Sequence, residues 1–294
     1  MTEKRLIIID ANSILHRAFH ALPPLTNKKG QPTGAVYGFL LTLFKAIKDL
    51  RAGYIVACFD TPFPTFRHQR FQEYKIHRPA TPEGIVSQIP IIKRVLQAFK
   101  IPIFEKDGFE ADDLIATIAK KAFPDVEVYI LSGDLDNLQL VDRGIKVYTL
   151  GKGIKDSVLY DEAKVVERFG VKPSQMNDFK AMAGDSSDNI PGVPGIGRVT
   201  AADLIQRFGS LEGLYAEIAT DTAVLKPKIK EGLKKNKEIA FLSKELVQTK
   251  KDVNIDFNLE SCRLGKVDQK KVKDVFYELE FYSLIERLPT IVFY

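Results

Sequence analysis

The feature that most constrains this chain is an alternation, over its first half, of short apolar runs with longer stretches of helical periodicity. Short runs rich in Ile, Val and Leu are typical of strands buried on both faces. Helices between such strands imply a largely parallel sheet with helices on both sides, so we predict an α/β fold. The predicted strands span 6–9, 54–59, 101–104, 126–131 and 145–148, and the predicted helices include 35–50, 83–99 and 111–121.

Acidic residues recur where these predicted strands end. Asp10 follows the first strand and Asp60 the second, while Asp134 and Asp136 follow the fourth. A further acidic segment, 110–113, opens the helix after the third strand. A single aspartate in such a place is usually a helix cap or a turn residue. Because active groups in parallel sheets collect at the carboxyl ends of the strands, the recurrence predicts one shared acidic site.

The grouped carboxylates predict a divalent-metal site. Like charges packed together are costly unless cations neutralise them, and oxygen ligands without His or Cys favour Mg²⁺ or Mn²⁺ over Zn²⁺. Glu110 with Asp113, and Asp185 with Asp188, have a spacing that places both side chains on one side of a helix end. Since two neighbouring metal ions are a common solution for phosphodiester hydrolysis, the pattern favours a nuclease.

The distribution of charge favours a polyanionic partner. The chain has 43 basic and 38 acidic residues, for a formal net charge of +5. If the acids at the strand ends face metal ions, the rest of the surface is strongly basic. A protein that concentrates acid in one pocket and base around it is suited to holding nucleic acid against metals.

A basic and aromatic stretch, 61–78, follows Asp60 directly. Four of its side chains recur at helical spacing and are predicted to project from one helix face. Its cations could neutralise phosphate and its aromatic rings could stack on bases. The alternative is an ordinary solvated helix with its aromatic residues in the core. The four residues at helical spacing are Arg67, Phe71, Lys75 and Arg78.

After about residue 173 the chain changes to helices and loops, with a glycine-rich turn at 192–197. No strand precedes this turn, which disfavours a dinucleotide-binding fold. Glycines between two short helices leave backbone N–H groups exposed and allow close approach to a DNA backbone. A plain helix–turn connection is the alternative. The helices predicted beyond the turn span 199–208, 226–248 and 269–287.

Cysteine usage and hydropathy favour a cytoplasmic location. Cys58 and Cys262 are far apart and lie in no metal-ligand spacing, as expected of reduced, packed thiols. No apolar run approaches the length that spans a bilayer, and the first residues lack a signal-peptide pattern. We therefore expect no membrane partner.

Five motifs stand in a specific order along the chain. They are Phe59-Asp60, Tyr74-Lys75-x-x-Arg78-Pro79, Glu110-Ala111-Asp112-Asp113, Ser132-Gly133-Asp134-x-Asp136 and Gly184-Asp185-x-Ser187-Asp188-Asn189-Ile190-Pro191-Gly192. In combination they resemble the 5′-nuclease family, which comprises bacterial 5′→3′ exonucleases, including the N-terminal domain of DNA polymerase I, and the flap endonucleases. The resemblance covers nearly the whole chain.

The resemblance implies a PIN-like, mostly parallel sheet flanked by helices, forming a nuclease domain over 1–170 with a helical arch at about 61–84. For 171–294 it implies a helical DNA-binding region. That region would contain a helix–turn–helix module of the helix-hairpin-helix type at about 190–208, often with bound K⁺.

The resemblance also implies roles for individual residues. Those implied in catalysis are Lys75, Arg78, Asp10, Asp60, Asp134 and Asp185. Those implied in DNA binding are Arg17, Arg67, Tyr74, Gly195, Gly197 and Arg198. The carboxylates implied to surround two Mg²⁺ ions, or Mn²⁺ in their place, are Asp10, Asp60, Glu110, Asp112, Asp113, Asp134, Asp136, Asp185 and Asp188.

The implied activity is a structure-selective 5′→3′ exonuclease and 5′-flap endonuclease that hydrolyses DNA and RNA primers in replication and repair. Its expected substrate is branched or nicked duplex DNA with a 5′ flap, and a polymerase domain in the same or another chain is an expected partner. Two alternatives keep the fold. One is a PIN-like ribonuclease acting on single-stranded RNA, and the other is a DNA-binding relative with a decayed site.

Overall fold

The computed structural model describes residues 4–151, 156–265 and 267–288. Its centre is a six-stranded sheet with the strand order β3-β2-β1-β4-β5-β6. All neighbouring strands are parallel except β6, which runs antiparallel to β5. The strands are β1 (Arg5–Asp10), β2 (Tyr54–Cys58), β3 (Ile103–Phe104), β4 (Glu127–Leu131), β5 (Ile145–Leu150) and β6 (Ser157–Tyr160).

Helices cover both faces of the sheet and make up most of the chain after β6. Three 3-10 turns, at Asp136–Leu140, Pro173–Gln175 and Glu260–Cys262, interrupt the connections. The helices are α1 (Ala11–Ala21), α2 (Gly34–Leu50), α3 (Phe66–Arg70), α4 (Glu83–Val86), α5 (Ile89–Ala98), α6 (Ala111–Ala122), α7 (Glu162–Phe169), α8 (Met176–Ala183), α9 (Arg198–Phe208), α10 (Leu211–Ala219), α11 (Pro227–Lys235), α12 (Lys237–Val247), α13 (Gln269–Glu278) and α14 (Tyr282–Ile285).

The central strands divide their side chains between two hydrophobic cores, because successive residues of a strand point to opposite faces. In β1, Ile7 and Ile9 join the core formed with α2, α5 and α13, and Leu6 and Ile8 join the core formed with α6 and α8. All four side chains are fully buried. The predicted α/β fold with a mostly parallel, helix-covered sheet is confirmed.

The C-terminal region shares both of these cores. Helices α8–α12 extend the core on the α6 side without a break at residue 170, while α13 and α14 pack on the α2 side. Phe276 of α13, for example, is fully buried beside Phe44 and Phe99. The predicted division at residue 170 therefore stays a prediction from sequence. The last six residues of the predicted C-terminal region, 289–294, lie outside the part of the chain that the structure describes.

Some predicted helices are shorter than expected. The stretch 83–99 breaks into α4 and α5 at Gln88, and Pro90 lies in the first turn of α5, where a missing N–H costs nothing. The Gln88 side chain accepts hydrogen bonds from the Ala35 and Val36 amides (2.9 and 3.2 Å) and thereby fixes the start of α2. The other two long helices break at Asn236 and near Glu280.

The predicted arch is helical over little of its length. Within 61–84 the described helices are α3 and the first two residues of α4, and Lys75 has a positive φ of 56°. The Lys75 amide donates to the Asp188 carbonyl (3.0 Å), which ties the segment to the loop after α8. The prediction that Arg67, Phe71, Lys75 and Arg78 share one helix face is therefore wrong, because α3 ends at Arg70.

None of the described helices combines the length and the apolar character that crossing a lipid bilayer requires.

Candidate metal centre at the carboxyl edge of the sheet

Strand register brings the first acidic residues together. Asp10 pairs with Cys58 of β2, and Ile9 pairs with Leu131 of β4, so the three strands end side by side. The chain then emerges from neighbouring strands at Asp10, Asp60 and the turn that carries Asp134. Strand order also reverses about β1, and a crevice at such a reversal is where open α/β sheets place their ligands.

Asp10 is the most enclosed of these carboxylates, at 4% exposed. It caps α1 by accepting a hydrogen bond from the Ser13 amide (3.2 Å), and its other oxygen accepts one from the Ser132 hydroxyl (2.6 Å). Burial raises the pKa of Asp10 to about 7 against the opposing Ser132 hydrogen bond, and the charges of Asp60 and Asp134 contribute to the rise. Asp10 is thus a buried carboxyl that lies near other acidic groups.

Three further carboxylates lie at the same edge of the sheet. Asp60 accepts a hydrogen bond from the Ala111 amide (2.7 Å), Asp112 from the Asn137 side chain (3.0 Å), and Asp134 from the backbone amide two residues later (2.9 Å). Within the described residues none of them forms an ion pair with Lys or Arg, in contrast to the other acids of the site. Asp10, Asp60, Asp112 and Asp134 are called the unpaired carboxylates below.

The electrostatics of the unpaired carboxylates show their mutual proximity. Burial raises the pKa of Asp112 well above its ordinary value, and the charges of Asp10 and Asp134 raise it further. Desolvation by the surrounding protein also raises the pKa of Asp60, which lies at the open rim, and Glu110 adds to this effect. Carboxylates that raise one another's pKa values lack a countercharge, which a bound cation would provide.

Lys180, near the end of α8, bridges two more predicted ligands. Its ammonium contacts Asp136 and lies 2.8 Å from Asp185. Burial and the charge of Asp134 raise the pKa of Asp136 to about 7 despite Lys180. For Asp185, burial is outweighed by Lys180, which lowers the pKa. Sequence patterns did not single out Lys180, although its position five residues before Asp185 offered a signal.

Two basic residues of the arch region form ion pairs with other acids of the site. The Lys75 ammonium lies 2.7 Å from Glu110 and 3.8 Å from Asp188, and Arg78 donates to Asp188 (2.9 Å). Burial opposes the charge of Lys75, but Glu110 and Asp188 outweigh it and raise the pKa of Lys75. Both cations contribute to the potential at Asp60, so they lie beside the unpaired carboxylates.

Arg67 and Asp113 form a buried pair behind the site. Both guanidinium Nη atoms donate to Asp113 at 2.8 Å, and the two side chains are 3% and 0% exposed. Asp113 also accepts from the amides of Glu110 (3.1 Å) and Lys250 (2.7 Å). In this arrangement Arg67 is not placed to contact DNA, and Asp113 is not placed to bind a metal directly, because each group satisfies the other out of reach of solvent.

Tyr74 is also placed differently from the expectation. It is 3% exposed and packs in a small core with Ile190 and Leu246, while its hydroxyl lies 3.2 Å from both Glu110 and Asp188. Its ring therefore cannot stack on a substrate base in this arrangement. Instead, its hydroxyl donates hydrogen bonds to these two carboxylates.

The other residues expected at DNA lie on exposed or half-buried surfaces. Gly195 and Gly197 are exposed in the turn before α9, and Arg198 begins that helix. Arg17 lies against the Gly133 turn and donates to the carbonyl of Gly151. Their predicted contact with DNA stays a prediction.

The predicted ligands are neighbours, but they do not converge as a finished metal site. In the parts of the chain that the structure describes, no three Asp, Glu, His or Cys side chains are arranged to share a metal ion. The unpaired carboxylates still fit a divalent cation by their chemistry, since they are hard oxygen ligands without a countercharge. Metal binding there requires rotation of these side chains.

Supporting residues that the sequence patterns did not assign lie between the acids. Ser132 donates to Asp10 and accepts from the Asp134 amide (2.9 Å), and Asn137 donates to Asp112. Asn137 is fully buried and its carbonyl oxygen has no partner among the described residues. Both residues orient carboxylates, and the Ser-Gly-Asp-x-Asp motif was the signal for Ser132.

Comparisons with known proteins find similarity over nearly the full length of the chain. The family model "5′-3′ exonuclease, N-terminal resolvase-like domain" matches residues 5–170, and "5′-3′ exonuclease, C-terminal SAM fold" matches 171–270. A 5′-3′ exonuclease of Aquifex aeolicus is 37% identical over 289 residues, covering 98% of this chain and 96% of that protein. DNA polymerase I of Bacillus caldotenax is 40% identical over 289 residues, and the chain spans 33% of its length.

A solved structure of phage T5 5′-exonuclease with bound zinc has a similar fold. It superposes with a TM-score of 0.69 at 24% identity, covering 94% of this chain and 99% of that one. At this identity the likeness speaks for the fold alone. The family models and the full-length relative carry the assignment: the chain belongs to the 5′→3′ exonuclease family.

Proposed function

We propose that the chain is a divalent-metal-dependent 5′→3′ exonuclease and 5′-flap endonuclease that hydrolyses phosphodiester bonds of DNA and of RNA primers in replication and repair. The observation that carries the proposal is the set of unpaired carboxylates at the carboxyl edge of the sheet, next to Lys75 and Arg78. This arrangement combines a cation-seeking group with phosphate-seeking side chains. Family membership and the DNA-bound T5 flap endonuclease, with a similar fold at a TM-score of 0.67, support the same reading.

The carboxylates of the site would bind two divalent ions. Asp10, Asp60, Asp112 and Asp134 would hold one divalent ion, and Asp136 with Asp185 would contribute to a second. Mg²⁺ is the expected ion, with Mn²⁺ as a substitute, because the donors are all oxygen. Such ions would supply activation of the attacking water and neutralisation of charge on the departing oxygen.

Lys75 and Arg78 are suited to positioning the phosphate. Lys75 keeps its proton, since Glu110 and Asp188 raise its pKa. Its ammonium can therefore stabilise negative charge that develops on a phosphate beside Asp60. Arg78 is half exposed and has donors beyond its bond to Asp188, so it can orient a phosphate at the rim.

The loop before α9 provides a second place for duplex DNA. Gly195 and Gly197 are exposed, and their backbone can approach a phosphate chain closely because no side chain intervenes. A K⁺ ion at this turn belongs to the same proposal. A polymerase domain is the expected partner, since relatives named DNA polymerase I contain this region as about a third of their length. A cytoplasmic location is part of the proposal.

The proposal is tested by product mapping on an end-labelled 5′-flap duplex, with Mg²⁺ and with EDTA. We expect Mg²⁺-dependent cleavage near the flap junction by the wild type. Asp134→Asn and Asp185→Asn should each lower the cleavage rate at least about a hundredfold, since each removes charge from an ion that acts in the transition state. Binding of the same duplex in EDTA should persist.

Asp125→Asn is the matched control, because Asp125 is exposed just before the amino end of β4, at the opposite edge of the sheet. Full turnover by the Asp134 and Asp185 variants would contradict the proposed roles. Faster cleavage of single-stranded RNA than of flap DNA at equal salt would instead indicate a ribonuclease, and binding without cleavage would indicate a decayed relative.

A further inference from the structure

A cleft of about 470 Å³ leads away from the carboxylate site between the 3-10 turn after β4 and helices α7, α8 and α9. Its lining includes Asp136, Lys180 and Asp185, which belong to the site described above. It also includes Arg168 of α7 and Arg198 of α9, which lie at the same ring, Phe169. The cleft therefore joins the acidic site to a pair of arginines.

Aromatic rings hold the two arginines in place. The Arg168 guanidinium lies 5.6 Å from the ring centres of both Tyr160 and Phe169, and it donates to the Tyr160 hydroxyl. The Arg198 guanidinium lies 5.3 Å from the Phe169 centre and 5.7 Å from that of Phe179. Phe169 is thus shared, and the two cations flank one aromatic platform.

Both arginines are exposed to solvent. In the described parts of the chain neither forms an ion pair with a carboxylate. Some other exposed arginines do have such partners, for example Arg70 with Glu245 (2.9 Å) and Arg94 with Glu278 (3.1 Å). A guanidinium has five N–H donors in a fixed plane, and stacking on a ring restricts its orientation. Two such groups with free donors are preorganised for the oxygens of a phosphate.

We propose that this cleft is a phosphate-binding subsite, in which Arg168 and Arg198 hold the backbone of the substrate strand next to the bond that is cleaved. The inference rests on the proposed function, because Asp136, Lys180 and Asp185 of the proposed metal site also line this cleft. Its new element is Arg168, which lies in α7, outside the predicted DNA-binding turn.

The test measures salt dependence of DNA binding in EDTA, with a fluorescent 5′-flap duplex and a series of KCl concentrations. Each phosphate contact contributes about −0.9 to the slope of log affinity against log salt. Arg168→Gln should therefore reduce the magnitude of the slope by about 1, and the double variant with Arg198→Gln by about 2. In cleavage assays Arg168→Gln should raise KM and leave kcat close to the wild-type value.

Arg143→Gln is the control of equal charge. Arg143 is exposed just before the amino end of β5, at the edge of the sheet opposite the site. If Arg168→Gln folds poorly, Arg168→Met replaces it, because Met keeps an apolar stem over Phe169 without the charge. An unchanged slope in the folded Arg168 variant, or an equal decrease in Arg143→Gln, would overturn the subsite. Failure of the proposed function would appear separately, as a wild type that does not cleave with Mg²⁺.

Discussion

The pair formed by Arg67 and Asp113 shows how a single contact positions the arch region. Arg67 also donates to the carbonyls of Leu246 (2.9 Å) and Gln248 (3.1 Å), at the end of α12. Helices α3, α6 and α12 thus meet at one guanidinium. A buried ion pair of this kind adds little net stability compared with apolar packing, but loss of one partner is costly because the other charge stays buried.

We predict that Arg67→Ala lowers the free energy of unfolding by about 3–5 kcal/mol, because Asp113 would lose its countercharge in the interior. Arg70→Ala, in the same helix, removes an exposed pair with Glu245 and should cost no more than about 1 kcal/mol. Urea unfolding of both variants measures the difference. Equal, small effects would mean that the buried pair does not fasten the arch region.

At the scale of elements, the turn between α8 and α9 is clamped at its base and open at its tip. The Asp185 and Ile190 backbones exchange hydrogen bonds (2.9 and 2.8 Å), and Gly192 packs directly on Gly184. A Cβ on Gly192, whose φ is +63°, would lie 2.3 Å from the Gly184 nitrogen. No side chain other than hydrogen fits there.

We predict that Gly192→Ala lowers the melting temperature by several degrees, because both the positive φ and the contact with Gly184 exclude a side chain. Gly197→Ala is the contrast, since Gly197 has a φ of −88° and no atom within 4 Å of an added Cβ. That variant should melt like the wild type and bind flap duplex more weakly. Thermal unfolding and fluorescence anisotropy separate the two roles, and equal melting of both variants would contradict them.

Across the whole molecule, the sheet concentrates negative charge at its carboxyl edge. Asp10, Asp60, Asp112 and Asp134 reach that edge from three strand ends and from the start of α6. Folding brings these charges together without an ion-pair partner among the described residues, so their mutual repulsion opposes folding when no metal is bound. The same repulsion creates the affinity for a cation.

We predict that Asp112→Asn raises the melting temperature in EDTA and mildly alkaline buffer by about 2–4 °C, equivalent to about 1 kcal/mol, because one repelling charge is removed. Mg²⁺ should stabilise the wild type and stabilise Asp112→Asn less. Asp125→Asn, at the opposite sheet edge, should respond to Mg²⁺ as the wild type does. The charge-repulsion argument fails if EDTA and Mg²⁺ leave all three proteins with the same melting temperature.

Much of this fold follows from local pattern. Buried parallel strands such as β1 and β4 are apolar runs, and the sequence shows an acid directly after the first run, at Asp10, and three residues after the second, at Asp134. The edge strand β6 is not predicted because Ser157–Tyr160 is short and only one of its four residues is buried, so its apolar run is brief. Helix lengths were overestimated where Gln88 and Asn236 interrupt a continuous helical periodicity.

The sequence by itself determined the class of fold, the edge that carries the acids and the family, because periodicity and motif order are properties of neighbouring residues. Only the tertiary structure decided which charged residues are buried in ion pairs and which face solvent. Arg67 and Arg70 look alike in sequence, yet the former is buried on Asp113 and the latter faces solvent. The partner of Arg67 lies 46 positions further along the chain, in another helix, and no local pattern records that pairing.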